Sequence, residues 1–371
     1  MSTFDLLVVG SGGGPSEINL SGYLLKAHES SWTDGIVGIE AGSGLGALSR
    51  ILQDKPDLFG STTAVQIYSY LRSYLITHAH LDHVMSLVLM AGSVEGPRKS
   101  IRGTRQCLED LQTVFKPSRI WPNLASWNPN DSDHLYLYDP LPDDLVTYTP
   151  LHGALSVRTL PLSHGPDYKS AAFFIRHGSG SHARELLFMG DVGPDALSAD
   201  PCTAAVWRAA APKIPHTLDA LFIECSWPLG HAEDKLYGHL SPEHLVVELE
   251  NLATAVVECR SGPPDARAAS GSSGPSANVK PIENASSSSR KRAFSIVSPE
   301  RKRQRRAQDT VDLHNALAGL QVFIIHCKED MEGKYDRPMC EVITEQLRRL
   351  VDEKGLGATI LAAQQGSLIH I

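Results

Sequence analysis

The chain has 371 residues, of which 42% are apolar and 20% charged, so it can bury a large core in one large domain or in two to three ordinary ones. Its net charge of −8 is unevenly spread: residues 261–309 hold ten Lys/Arg against four Asp/Glu, and the remainder holds 24 against 38, so acidic a body that long nucleic acid is excluded as an expected ligand. The opening "MSTFDLLVVG" carries no basic region or long apolar run, so neither a signal peptide nor a membrane span is expected, and six cysteines without a C-x-x-C read as reduced thiols of a cytoplasmic protein.

Short strands separated by glycine turns are expected at "FDLLVVGSGGGP", "SGYLLKAH" and "DGIVGIEAGSGLG". The glycine stretch starts like G-x-G-x-x-G, but Pro15 stands in the sixth position and no helix pattern follows. It therefore reads as a β-turn between the first two strands, not a dinucleotide loop. A helical pattern covers about 45–72, "RSYLIT" reads as a buried strand, and "HVMSLVLMAGS" opens a helix. Further strands are expected at "LSVRTLPLS", "KSAAFFIRH", "ELLFMGD", "ALFIECS" and "LQVFIIHC". Helices fit "SPEHLVVELENLATAVVE", with Ser241 as N-cap and Pro242 at the first position, and "MCEVITEQLRRLVDEKG". Strands in two batches with helices between them predict an α/β fold: an αββα sandwich of two mixed sheets with helices outside.

Residues 261–309 contain eleven serines and little apolar periodicity. They read as a disordered insertion interrupting one catalytic domain that spans 1–371. Its basic clusters, within 290–306, flank Ser295 and Ser298, so a basophilic kinase and a nuclear import receptor are the expected partners there, and a nuclear fraction is expected besides the cytoplasmic one.

The densest chemistry lies in "LITHAHLDHVM", residues 75–85. In an extended segment residues i and i+2 point the same way, so His78 and His80 can ligate one metal. Asp82 and His83 fall where the chain turns into a helix and can serve a second. A mixed histidine and carboxylate set suits zinc, with manganese or iron as alternatives, and marks a catalytic rather than a structural site. More donors stand just beyond apolar strands: His164 after "RTLPLS", Asp191 after "LLFMG" and His326 after "LQVFII". Together they complete a seven-ligand dinuclear set.

H-x-H-x-D-H followed by His, Asp and His on later strand ends resembles the metallo-β-lactamase superfamily pattern. The longer stretch "HAHLDHVMSLVLMAGS" resembles the signature of the class II cyclic nucleotide phosphodiesterases, the fungal low-affinity group. So do "SGGGPSEINLSGYLL", "LSHG", "LFMGDVGPD", "LFIECSWP", "LYGHLSPEHL" and "VFIIHCKE". The resemblance implies His78, His80 and His164 on one metal, Asp82, His83 and His326 on the other, and Asp191 bridging. "HLSP" resembles the His-Ser/Thr motif of related phosphodiesterases, which implies a catalytic His239 paired with Glu224. Asp82 is expected to orient water besides ligating, and Asn19 is carried as a substrate contact. The implied activity is hydrolysis of 3′,5′-cyclic nucleotides, cAMP with cGMP as a further candidate, to nucleoside 5′-monophosphates by a hydroxide bridging two divalent ions. The alternatives are a tRNA 3′-processing-type phosphodiesterase, which the acidic body disfavours, and a non-catalytic regulator, which predicts lost ligands. No ligand is missing.

Overall fold

The protein is described here by a computed structural model covering residues 2–261 and 311–371. The expected insertion, with Ser295, Ser298 and the basic clusters at 290–306, lies outside the described residues. Only its first residue, Ser261, is described, closing a helix.

Apolar residues on both faces of the strands set the architecture. In β1 (Phe4–Gly13) Leu6 and Val8 face one way and Leu7 and Val9 the other, and all four are buried. A strand buried on both faces must lie between two layers. The first sheet continues through β2 (Leu20–Ala27), β3 (Ile36–Ile39), β4 (Leu71–Leu75), β5 (Lys99–Gly103), β6 (Ala125–Ser126) and β7 (Tyr136–Pro140). The second holds β8 (Thr149–Pro150), β9 (Leu155–Ser163), β10 (Lys169–His177), β11 (Arg184–Met189), β12 (Leu218–Glu224), β13 (Gln321–Ile325) and β14 (Thr359–Ala362). The last strand, β15 (Leu368–His370), returns to the edge of the first sheet. Strand order is β15-β1-β2-β3-β4-β5-β7-β6 in one sheet and β14-β13-β12-β11-β10-β9-β8 in the other. Both are mixed: β4 runs parallel to β3 and β5, and β12 to β11 and β13, whereas β1–β2 and β9–β10 are antiparallel.

Three apolar layers result. Between the sheets lie Phe4, Leu6 and Val8 with Phe173, Phe188, Phe222 and Phe323. Phe222 and Phe323 stack at 4.7 Å, adding ring-ring attraction to their burial. Outside the first sheet pack α1 (Leu45–Asp54), α2 (Ala64–Ser69), α3 (Leu81–Met90) and α4 (Arg105–Phe115). Outside the second pack α5 (Thr203–Ala210), α6 (Pro242–Ser261) and α7 (Met339–Glu353). This is the expected αββα sandwich.

Local departures from the sequence reading have plain causes. The glycine stretch is not a turn: β1 runs through Gly13 with register shifts at Val8/Gly10 and Gly12/Gly13, and the chain turns at residues 14–19. Glycine is needed there because a Cβ on Gly13 would stand 2.6 Å from the His326 ring. The helical pattern at 45–72 is two helices, and β4 begins at Leu71. Strands β5, β6, β7, β8, β14 and β15 and helices α4 and α5 were not foreseen; the strands are short, whereas α4 buries Cys107, Leu108, Leu111 and Phe115 on one face and its pattern was missed.

The loop after β3 fixes the start of α3. Ala41 N–H donates to His83 O at 2.7 Å, and Ser86 N–H donates to Ala41 O at 2.8 Å. Gly42 sits so close that an added Cβ would meet Asp82 O at 2.0 Å, the Leu20 Cβ at 2.7 Å and Ser21 O at 2.8 Å. Two of those obstacles are backbone, which cannot swing aside. Gly42→Ala is expected to cost about 2 kcal/mol of stability, the usual scale for overpacking. A lowered urea midpoint at unchanged slope would report this, and a wild-type midpoint would contradict it.

Candidate metal centre

Both sheets present strand ends on one edge of the sandwich, and the predicted side chains gather there. His78 and His80 follow β4, and Asp82 and His83 occupy the first turn of α3. His164 follows β9, Asp191 follows β11, Glu224 ends β12 and His326 follows β13. The two sheets are joined at this edge: His326 N–H donates to Ser11 O at 2.6 Å, and Gly12 bridges to Cys327.

Asp191 Oδ2 lies at the centre. His83 Nε2 is 3.3 Å from it, His326 Nε2 3.4 Å, His78 Nε2 3.7 Å and His164 Nε2 3.8 Å. His164 Nε2 also lies 3.4 Å from His80 Nδ1, and His326 Nε2 lies 3.2 Å from both Asp82 Oδ2 and His83 Nε2. The predicted donor atoms fall into two groups, His78/His80/His164/Asp191 and Asp82/His83/His326, each within 4.8 Å of one another, and His239 forms a third such group with Asp191 and His326. A tetrahedral ion with ligands at about 2.0–2.1 Å holds them roughly 3.3 Å apart, which matches this spacing. A different cluster, Asp5/His28/His370, makes the contrast. Both imidazoles there sit 2.7 Å from one Asp5 oxygen, and Lys26 Nζ is 2.5 Å from the other. That is hydrogen-bond spacing with a cation already present.

The outer ring nitrogens fix the tautomers. His78 Nδ1 is 3.0 Å from Thr77 Oγ1, His164 Nδ1 is 2.9 Å from Gly238 O, and His326 Nδ1 is 3.1 Å from Ser226 Oγ. A carbonyl can only accept, so His164 carries its proton on Nδ1 and turns an Nε2 lone pair to the centre. His78 Nε2 is buried without a hydrogen-bond partner among the described residues. Such an atom costs about 1–3 kcal/mol unless something accepts its lone pair; a divalent ion between it and Asp191 fits. Burial holds the His78 pKa well below the usual histidine range, so the ring is neutral, the form that ligates. Burial opposes ionisation of Asp191, yet His326 and His83 outweigh it and hold the carboxyl well below the carboxylate range. The donor set and the fold support divalent-metal binding.

Glu40 was not foreseen. Buried at the end of β3, it places Oε2 3.5 Å from His83 Nδ1 and accepts from Thr77 N–H at 3.3 Å through Oε1. Its only signal was an acid closing a strand before "AGSG". Tyr168 was also missed: its ring lies flat on His80, 5.0 Å away at 8°, its hydroxyl donates to Asp110 Oδ2 at 3.1 Å, and no motif marks it. His239 Nδ1 lies 2.9 Å from Glu224 Oε1, as the motif implied, and 3.8 Å from Asp191 Oδ2. Burial depresses the His239 pKa, but Glu224 reverses this and the net shift is upward. Asn19 Oδ1 accepts from Ser11 N–H at 2.9 Å and is not in the donor cluster.

Glu40→Gln removes the charge beside His83 and keeps the shape. It is expected to weaken metal binding about 10- to 100-fold, the usual effect of losing an outer carboxylate partner. Competition against a chromophoric chelator measures this, and unchanged affinity would refute it.

Residues 60–264 match the family of class-II cAMP phosphodiesterases. A 3′,5′-cyclic-nucleotide phosphodiesterase of Schizosaccharomyces pombe is 30% identical over 273 residues, covering 67% of this chain and 75% of the relative. Unliganded yeast PDE1 matches over 100% of both chains with a TM-score of 0.75 at 20% identity. The metallo-beta-lactamase fold protein YhfI of Bacillus subtilis matches over 99% of both with a TM-score of 0.53 at 13% identity. The sandwich is therefore a metallo-β-lactamase fold, and the chain belongs to the class-II cAMP phosphodiesterase family.

Proposed function

We propose that this protein hydrolyses 3′,5′-cyclic nucleotides, cAMP and cGMP, to nucleoside 5′-monophosphates at two divalent ions, with zinc the preferred metal. The observation that carries this reading is the convergence of six donor side chains around Asp191 Oδ2 in a chain of this family. His78, His80 and His164 would hold one ion, Asp82, His83 and His326 the other, with Asp191 between them. The imidazole-rich set with two carboxylates favours zinc.

Bound ions would offset the phosphate's negative charge and acidify the attacking water. The protein's own groups do the rest. Burial opposes ionisation of Asp82, but His326 and His83 hold its carboxyl well below the carboxylate range. Partly exposed, it can accept a hydrogen bond from water and aim it at phosphorus. His239 gives Nδ1–H to Glu224, and its Nε2 has no hydrogen-bond partner among the described residues. Protonated, that nitrogen supplies the leaving 3′-oxygen. The water gives up a proton to solvent as its oxygen bonds to phosphorus, the bond from phosphorus to the 3′-oxygen breaks, and the His239 proton ends on the 3′-oxygen. The regulator alternative expects lost donors, and none of the seven is lost.

Asp191→Ala should purify with almost none of the two ions by elemental analysis, because both donor groups lose their common carboxylate. Retention of one full equivalent would argue against a bridging role. His239→Ala should keep its metal content but lose about 10²–10⁴-fold in turnover on cAMP. A p-nitrophenyl phosphodiester, whose leaving group needs no proton, should lose far less. Equal losses on both substrates would exclude His239 as the acid.

A further inference from the structure

Tyr237 stands two residues before His239 and is conformationally costly. Its φ is +54°, in the left-handed region, and its side chain is 72% exposed. Left-handed backbone in a non-glycine residue costs about 1–2 kcal/mol, and an exposed ring recovers none of that by packing. The neighbours on either side are fixed: Leu236 is buried, and Gly238 O accepts from His164 Nδ1 at 2.9 Å. The loop thus holds an aromatic face out beside the metal centre.

Tyr237 lines a cavity of 240 Å³ with Gly165, Pro166, Gly193, Pro194 and Leu197. At about 30 Å³ per water this is the room of roughly eight waters, a fused-ring base rather than a whole nucleotide. Its walls continue the chain from three centre residues: Gly165 follows His164, Gly193 lies two past Asp191, and Gly238 precedes His239. Gly193 N–H donates to Ser163 O at 2.8 Å, so the walls are tied together. A larger cavity of 730 Å³ lies beyond Cys327, lined by Glu329, Asp330, Asp336 and Glu341 together with Lys328 and Arg337. Four carboxylates against two cations leave it net acidic, whereas Glu233 is the one charged residue in the lining of the smaller cavity.

We infer that the cavity beside His164 receives the purine base of the cyclic nucleotide and that Tyr237 stacks on that base, which makes Tyr237 a specificity residue. The inference rests on the phosphodiesterase reading above. Stacking is indifferent to which purine is present, so it serves adenine and guanine alike. Its loss should raise KM without touching the chemical step.

The test compares cAMP and cGMP with the abasic ribose 3′,5′-cyclic phosphate on metal-loaded enzyme. Tyr237→Ala should raise KM for both nucleotides about tenfold or more with kcat held, so that the kcat/KM preference for nucleotide over abasic substrate falls by the same factor. Tyr237→Phe, which keeps the ring, should retain the preference. Leu197→Trp, narrowing the cavity from another wall, should lower it. A Tyr237→Ala enzyme with unchanged preference overturns the inference. Wild-type enzyme inactive on every cyclic phosphate would instead overturn the reading on which it rests.

Discussion

Asp191 places a carboxylate, sealed from water, within 3.8 Å of five imidazoles. Burial opposes the charged form of that carboxyl, and the surrounding imidazoles hold it charged all the same. Charged, it has lost its hydration; protonated, it crowds rings whose lone pairs point inward. Moderate distances of 3.3–3.8 Å mean that few of these contacts are hydrogen bonds. A core built this way suits a concentrated positive charge at its centre. The two sheets exist, in functional terms, to bring six separate strand ends to that point. Four come from the second sheet and two from the first, and the joint of Gly12 with Cys327 keeps the two halves in register.

Backbone strain is concentrated at the same edge. Six non-glycine residues among those described have left-handed backbone, and three of them serve this site: Glu40, His326 and Tyr237. Glu40 and His326 each close a strand and turn a side chain toward the centre where a relaxed strand would continue straight. The surrounding structure over-determines both. Thr77 N–H holds the Glu40 carboxylate, and the Ser11 carbonyl holds the His326 amide. Strain held by firm neighbours is a mark of pre-organisation. Here it keeps the directions of the donor side chains fixed.

The sandwich and the donor set were legible in the sequence for a common reason. Strands buried on both faces read as continuous apolar runs, and a polar residue immediately past such a run is conspicuous: His164, Asp191 and His326 stand out this way. The crowded H-x-H-x-D-H needed no context. What escaped notice acts through spatial neighbours. Glu40 matters because the chain doubles back to put it against His83, and Tyr168 because its ring happens to lie on His80. The glycines at 10–13 looked like a turn because composition cannot distinguish a turn from a strand crowded by another backbone. The His326 ring and carbonyl press on Gly13 from a segment more than 300 residues away. Such long-range crowding leaves no local signature.

Glu224 couples His239 to the donor cluster. Its Oε1 accepts from Val192 N–H at 2.8 Å, next to Asp191, and lies 2.9 Å from His239 Nδ1. Its Oε2 accepts from Ser226 Oγ at 2.7 Å and from Leu240 N–H at 3.3 Å. A hydroxyl has one proton, so when Ser226 gives it to Glu224 it must accept from His326 Nδ1–H, and His326 then turns its Nε2 lone pair inward. One carboxylate therefore bears on the tautomer of His326, the orientation of His239 and the position of the loop that carries Asp191. Burial alone would push the Glu224 pKa up, but His239 brings the net shift down and keeps it anionic. In-line displacement needs attacking water and leaving-group acid on opposite sides of phosphorus at fixed separation. On the proposed reading, Glu224, held by four contacts, fixes the His239 side of that arrangement before any substrate arrives, which is where positioning contributes most to rate.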